Sequence, residues 1–134
     1  MAAKFLPVEN DYDTGAFFAA AREHRLAVKM CDDCALTIHP PRAFCSRCRS
    51  SNTSWHQGSR TATLFTWTVV EHPVHPGYPA PYTVVLVELD APSGIRLVGS
   101  IDGRADLEIG LPMELWWEDR EEGVVLPNWR PAGG

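Results

Sequence analysis

The stretch Cys31-Asp32-Asp33-Cys34, then ten residues, then Cys45-Ser46-Arg47-Cys48 decides how this chain is built. A tetrahedral Zn²⁺ takes four thiolates at about 2.3 Å, and a CxxC turn is tight enough to aim two sulfurs at one ion, so two such turns complete a shell. The spacer is shorter than the roughly 15 to 20 residues of the common four-cysteine template, yet it is long enough for a hairpin that returns to the ion. Cys31, Cys34, Cys45 and Cys48 are therefore expected to hold zinc. With every position filled by sulfur, such an ion is structural and leaves no opening for substrate or water. Iron on the same thiolates is the alternative. Iron-binding knuckles commonly carry glycine next, and here Ala35 and Arg49 stand in those places, which favours zinc. His39, beside Pro40-Pro41, is read as a surface residue and not a further ligand.

Upstream, Asp13 to Glu23 reads as a short helix that Asp13 or Thr14 can cap, with Phe17, Ala20 and Ala21 forming its buried stripe. Arg25 to Met30 alternates with period two and leads into Cys31 as a strand. Downstream, short apolar segments separated by turn residues predict five or six strands of a small barrel or sandwich. They are Trp55 to Gly58, Ala62 to Val70, Tyr82 to Leu89, Ile95 to Ile101, Met113 to Glu118 and Val124 to Leu126. In the second of these, Thr63, Phe65, Trp67 and Val69 share the face expected to enter the core. The organisation that results is an N-terminal helical segment over 1–24, a ribbon over 25–54 and a β domain over 55–134 that ends in a tail, Arg130 to Gly134, expected to be mobile unless a partner orders it.

The 134 residues suffice for about one modest core, so a lobe without one gains from a metal clip. With 45% hydrophobic residues the chain is too apolar to be disordered, and none of its apolar runs approaches the ~20 residues that cross a bilayer. No membrane role is expected. No secretory signal is visible after Met1, so the cytoplasm is the expected compartment, where four cysteines read as ligands and not as two disulfides. The formal net charge of -5 hides an asymmetry: Arg22 to Arg60 carries +4, while Thr61 to the end carries -7.

The order of these elements resembles the DUF35 family of zinc-ribbon and OB-fold proteins. The likeness runs from about Phe17 to Pro131; its more specific parts are Pro40-Pro41-Arg42 between the knuckles and Ile109-Gly110-Leu111-Pro112-Met113. The resemblance implies a mainly β fold with an N-terminal helix, a four-cysteine zinc ribbon and a C-terminal five-stranded OB-fold barrel. It also implies a non-catalytic accessory subunit that stabilises a thiolase-superfamily, lipid-transfer-protein-type aldolase or thiolase and helps form its acyl-CoA channel. The partner would supply the carbon–carbon chemistry, in steroid or lipid side-chain degradation, within a hetero-oligomer such as a heterotetramer.

The residues themselves offer no catalytic set: GxSxG, the P-loop and GxGxxG with its acidic residue are all missing. For a CoA ligand the candidate cations are Arg42, Arg47, Arg49 and Arg60, since guanidinium groups take phosphate bidentately; the competing reading is solvated ribbon arginines. His72, His75 and Tyr78 lie in a loop with four prolines, which bars helical presentation and suits a contact surface for a partner or acyl group, or a simple rim. The alternative function is a single-stranded nucleic-acid module, because OB barrels and zinc ribbons recur there, but the acidic barrel segment has the wrong sign for phosphates. Trp116 and Trp117 must face opposite sides of a strand, so one needs cover from the helix or a partner.

Overall fold

A computed structural model describes residues 3–133; Met1, Ala2 and Gly134 lie outside the described residues. Helix α1 spans Gly15–Arg22 and buries Phe17, Ala20 and Ala21, the stripe expected from spacing. Its capping differs from expectation. Thr14 occupies the N-cap without capping the helix amides, and its hydroxyl instead donates to the Asp11 carboxylate at 3.2 Å, which also accepts from the amides of Asp13 and Thr14. Strand β1 (Ala27–Cys31) then pairs antiparallel with β2 (Thr37–Ile38) on one side and β3 (Thr53–Gln57) on the other. The segment from Trp55, expected to open the barrel, therefore belongs to this three-stranded ribbon sheet.

The two knuckles repeat one backbone pattern. Ala35 N–H donates to Cys31 O at 3.0 Å and Arg49 N–H donates to Cys45 O at 2.9 Å. To close those turns Ala35 and Arg49 take φ of 62° and 64°, the left-handed region where glycine is at ease and other residues are strained by about 1–2 kcal/mol. The glycine-free knuckles that distinguish the sequence are thus built with the glycine conformation.

Five strands form the second sheet: β4 (Thr61–Val70), β5 (Tyr82–Leu89), β6 (Arg96–Asp102), β7 (Pro112–Asp119) and β8 (Val125–Pro131). Their order is β6-β5-β4-β7-β8, and β6 and β8 lie side by side, so the sheet curls into an OB-fold barrel. The core face of β4 differs from the expected one. A bulge between Leu64 and Thr66 gives the strand one extra residue, so Ala62 and Leu64 point inward before it, whereas Thr63 and Phe65 are exposed. Beyond the bulge the alternation has slipped by one and Trp67 packs against the core as expected. The C-terminal tail also differs: Arg130 and Pro131 complete β8, and Arg130 pairs with Glu114 at 2.9 Å.

One apolar core joins both sheets. Leu26 and Val28 of the first sheet's approach meet Leu64, Val87, Met113 and Trp129 of the barrel, with Phe17 of α1 sealing one side. Gly58 makes the junction, since a Cβ there would stand 3.0 Å from Leu26 and 3.1 Å from Leu89. A second, much smaller cluster holds Cys31, Ile38 and Cys45.

Barrel closure rests on Asn128, which is 5% exposed. Its Oδ1 accepts from the amides of Ser100 on β6 and Trp129 on β8, both at 2.8 Å, while Nδ2 donates to Glu118 at 3.1 Å. Gly99 permits this approach: a Cβ would lie 2.6 Å from Asn128 Oδ1. Asn128→Leu orphans the buried Trp129 amide and the half-buried Ser100 amide and should cost about 2–5 kcal/mol in urea unfolding, and Gly99→Ala should also destabilise; exposed Val98→Ala should move stability by no more than about 0.5 kcal/mol. At the knuckle, Ala35→Gly should be neutral or stabilise by up to about 1 kcal/mol, whereas Ala35→Val should destabilise by more than that, both read from the same unfolding midpoint.

Candidate metal centre and the barrel groove

Cys31 ends β1, Cys34 closes the first knuckle, and Cys45 and Cys48 flank the second. Cys31 Sγ lies 3.5 Å from Cys48 Sγ, Cys34 Sγ lies 3.5 Å from Cys45 Sγ, and all four sulfurs fall within 4.8 Å of one another. A tetrahedron with about 2.3 Å metal–sulfur bonds has edges of about 3.8 Å, so this donor set fits one four-coordinate ion. Cys31 and Cys45 are buried, and the carboxylate of Asp33 ties the knuckles together by accepting from Ser50 and, at 3.2 Å, from Asn52.

The electrostatics favour a cation among the sulfurs. The Leu36 amide and then the Arg47 guanidinium lower Cys34 to about 6, and the Cys48 amide lowers Cys45. Cys48 shows the opposing effect: the Ser50 amide pulls it down, yet the packed sulfurs of Cys31, Cys34 and Cys45 push it up to about 12. Four sulfurs this close cannot all be thiolates without a positive ion between them.

His39 is half-buried, not a surface residue, and stands 5.7 Å from the Phe17 ring. Burial lowers its pKa, and its Nδ1 has no hydrogen-bond partner. Phe44 is 62% exposed, whereas Trp55 packs against the core beneath the Lys29 ammonium.

Among the described residues, the arginines of the helix and barrel are spent on ion pairs: Arg22 with Glu9, Arg25 with Glu23, Arg96 with Glu88, Arg104 with Glu71, Arg120 with Glu118 and Arg130 with Glu114. Among the same described residues, Arg42, Arg47, Arg49 and Arg60 have no acidic partner. Arg42, Arg49 and Arg60 are exposed, and Arg47 donates to the Cys34 carbonyl at 2.7 Å. The neighbouring acids do not compete for them, because Asp32 is engaged by Ser54 and Asp33 by Ser50 and Asn52. Arg60 borders a shallow cavity with Met30, Gln57 and Pro92.

The proline-rich loop divides. His75 and Tyr78 come together, with ring centroids 5.6 Å apart, and line a cavity of about 400 Å³; His72 is exposed outside that lining. Gly77 N–H donates to His75 Nδ1 at 2.9 Å. This cavity lies on the β5–β6 face, where Tyr82, Val84 and Val98 contribute its walls, the surface through which OB folds usually bind. Sequence reasoning missed Phe5 and Arg120, which complete it from opposite ends of the chain. Trp117 packs against the core and stacks on His24 at 5.4 Å, while Trp116 faces a second cavity on the opposite side of its strand.

Comparison with known proteins matches residues 18–54 to the rubredoxin-like zinc ribbon domain of ChsH2 and residues 55–118 to the C-terminal OB-fold domain of ChsH2. The chain is 36% identical over 122 residues to a probable enoyl-CoA hydratase alpha subunit of Thermomonospora curvata, covering 90% of this chain and 38% of that protein. It is 29% identical over 119 residues to the 3-oxo-4,17-pregnadiene-20-carboxyl-CoA hydratase alpha subunit of Mycobacterium tuberculosis, covering 87% and 35%. It thus spans little more than a third of these curated relatives. A chain of the Ltp2-ChsH2(DUF35) aldolase superposes with a TM-score of 0.84 at 35% identity, covering 95% of this chain and 99% of that one. A DUF35 protein of unknown function from Sulfolobus solfataricus shares the fold, with a TM-score of 0.62 at 15% identity over 80% of this chain and 81% of that one. A four-sulfur ribbon and an OB barrel in this order, matched end to end by that aldolase chain, establish that the chain belongs to the DUF35 family.

Proposed function

We propose that this chain is a non-catalytic subunit that binds and stabilises a thiolase-superfamily, lipid-transfer-protein-type enzyme acting on acyl-CoA, in steroid or lipid side-chain degradation. The observation that carries the reading is the end-to-end match to a chain of the Ltp2-ChsH2(DUF35) aldolase, 99% of which is covered. The named relatives, both CoA-hydratase alpha subunits, point to the same substrate class. Within such an assembly the bond-making chemistry belongs to the partner.

Zinc on Cys31, Cys34, Cys45 and Cys48 would shape the ribbon, since a cluster of Cys31, Ile38 and Cys45 is too small a core to hold it alone. The unpaired arginines Arg42, Arg47, Arg49 and Arg60 are the cations that CoA phosphates would meet, and His75 and Tyr78 are contacts for the partner or acyl group. The reading as a single-stranded nucleic-acid module draws no support from a barrel whose arginines are paired with carboxylates.

Affinity purification from the native cell under gentle conditions, with mass spectrometry of what is retained, should recover a thiolase-superfamily protein; its consistent absence would sink the proposal. Metal analysis should find one zinc per chain in a colourless preparation, and a chelator should unfold the ribbon. A visible thiolate–iron absorbance would instead assign the site to iron.

A further inference from the structure

Residues 3–8 form a strap without regular secondary structure, and residues 3–6 of it lie across the barrel face. Ala3, Lys4 and Leu6 border a cavity of about 670 Å³ on one side, Phe5 borders the cavity of about 400 Å³ on the other, and the Lys4 ammonium reaches over the Tyr78 ring, 5.6 Å from its centroid. Both cavities share Ser100, Glu118 and Arg120, so the strap divides a single trough.

The grip on Phe5 is specific. Its N–H donates to Tyr78 Oη at 3.0 Å, and its carbonyl accepts from Arg120 Nη1 at 2.8 Å. Arg120 is held in place by Glu118, and Glu118 by Asn128, the residue that closes the barrel. The Phe5 ring lies 4.4 Å from the His75 ring and 5.9 Å from that of Tyr78. Close by, Gly77 approaches the Ala3 carbonyl so tightly that a Cβ would stand 2.6 Å from it. A donor and acceptor pair on one residue with an aromatic ring between two others is what a peptide presents; an acyl chain has no such N–H, and the pantetheine arm of CoA, which has amides, carries no aromatic side group. Yet the strap fills the trough poorly. Phe5 is 66% exposed, and the rim residues Val74 and Val98 are 71% and 62% exposed.

We propose that this trough is a peptide-docking surface whose occupant in the assembly is an extended, aromatic-bearing segment of the partner enzyme, and that the chain's own strap is a built-in competitor seated there until the partner arrives. The occupant rests on the accessory-subunit reading above, because an exposed apolar trough with main-chain grips is a site for strand-like capture by another protein. Tethering gives the strap a high effective concentration, so it need bind only weakly to hold the site.

The test uses the full chain and a labelled peptide of residues 3–10, followed by fluorescence anisotropy. Phe5→Ala should bind the peptide saturably and about tenfold or more tighter than the wild type, whose own strap competes. Adding Tyr78→Phe, which keeps the ring but removes the acceptor, should weaken that binding about tenfold, the equivalent of one good hydrogen bond. Thermal midpoints confirm that both variants stay folded. Equal binding to wild type and Phe5→Ala, or binding indifferent to Tyr78→Phe, overturns the proposal. In the complex recovered from cells, Phe5→Ala should tighten the partner and Tyr78→Phe should loosen it. A recovered complex that responds to neither overturns the docking role and leaves the accessory reading standing, whereas recovery of no partner removes that reading and this occupant with it.

Discussion

Four sulfurs within 4.8 Å of one another are the constraint on which the N-terminal half depends. Their mutual repulsion as thiolates can be relieved only by a cation or by protons, and amides aimed at Cys34 and Cys45 favour the thiolate form. What such a cation holds is more than a local loop. Cys31 is the last residue of β1, and the same run of chain places Leu26 and Val28 in the core shared with the barrel. Through Gly58, which lets the chain pass between Leu26 and Leu89, the ribbon is fastened to the β domain by packing.

The barrel has its own closing constraint, and it also builds the groove. Asn128 joins β6 to β8 through two amides and, through Glu118, orients Arg120 toward the N-terminal strap. A residue needed for stability therefore also sets the position of a recognition group. Such double use is expected in a chain this short, where a small core leaves few buried polar groups to do separate jobs.

Charge is divided in the same spirit. Among the described residues the arginines of the helix and barrel are paired with carboxylates, whereas Arg42, Arg47, Arg49 and Arg60, in and just after the ribbon, have no acidic partner. An acidic chain can in this way keep a basic face for an anionic ligand, because pairing cancels the positive charge elsewhere.

Much was determined by the sequence alone. The two CxxC turns mark the four sulfurs that the fold brings within 4.8 Å of one another, period-two patterns locate the strands, and 3.6-residue spacing marks Phe17, Ala20 and Ala21 as the buried stripe of α1. These signals survive because each depends on neighbours a few residues away. What depended on distant contacts was decided by the tertiary structure. The bulge in β4 sent Ala62 and Leu64 inward in place of Thr63 and Phe65, because it is the pairing with β5 that accommodates an extra residue. Trp55 joined the ribbon sheet because β1 offered it an edge, and the strand expected over Val124 to Leu126 ran on through Arg130 and Pro131, expected to be a loose end, because Glu114 and Met113 of β7 pair with them. The groove was the least legible feature, since Phe5, Tyr78 and Arg120 meet across 73 and 115 residues of sequence separation, and no local pattern records a contact that only the closed barrel creates.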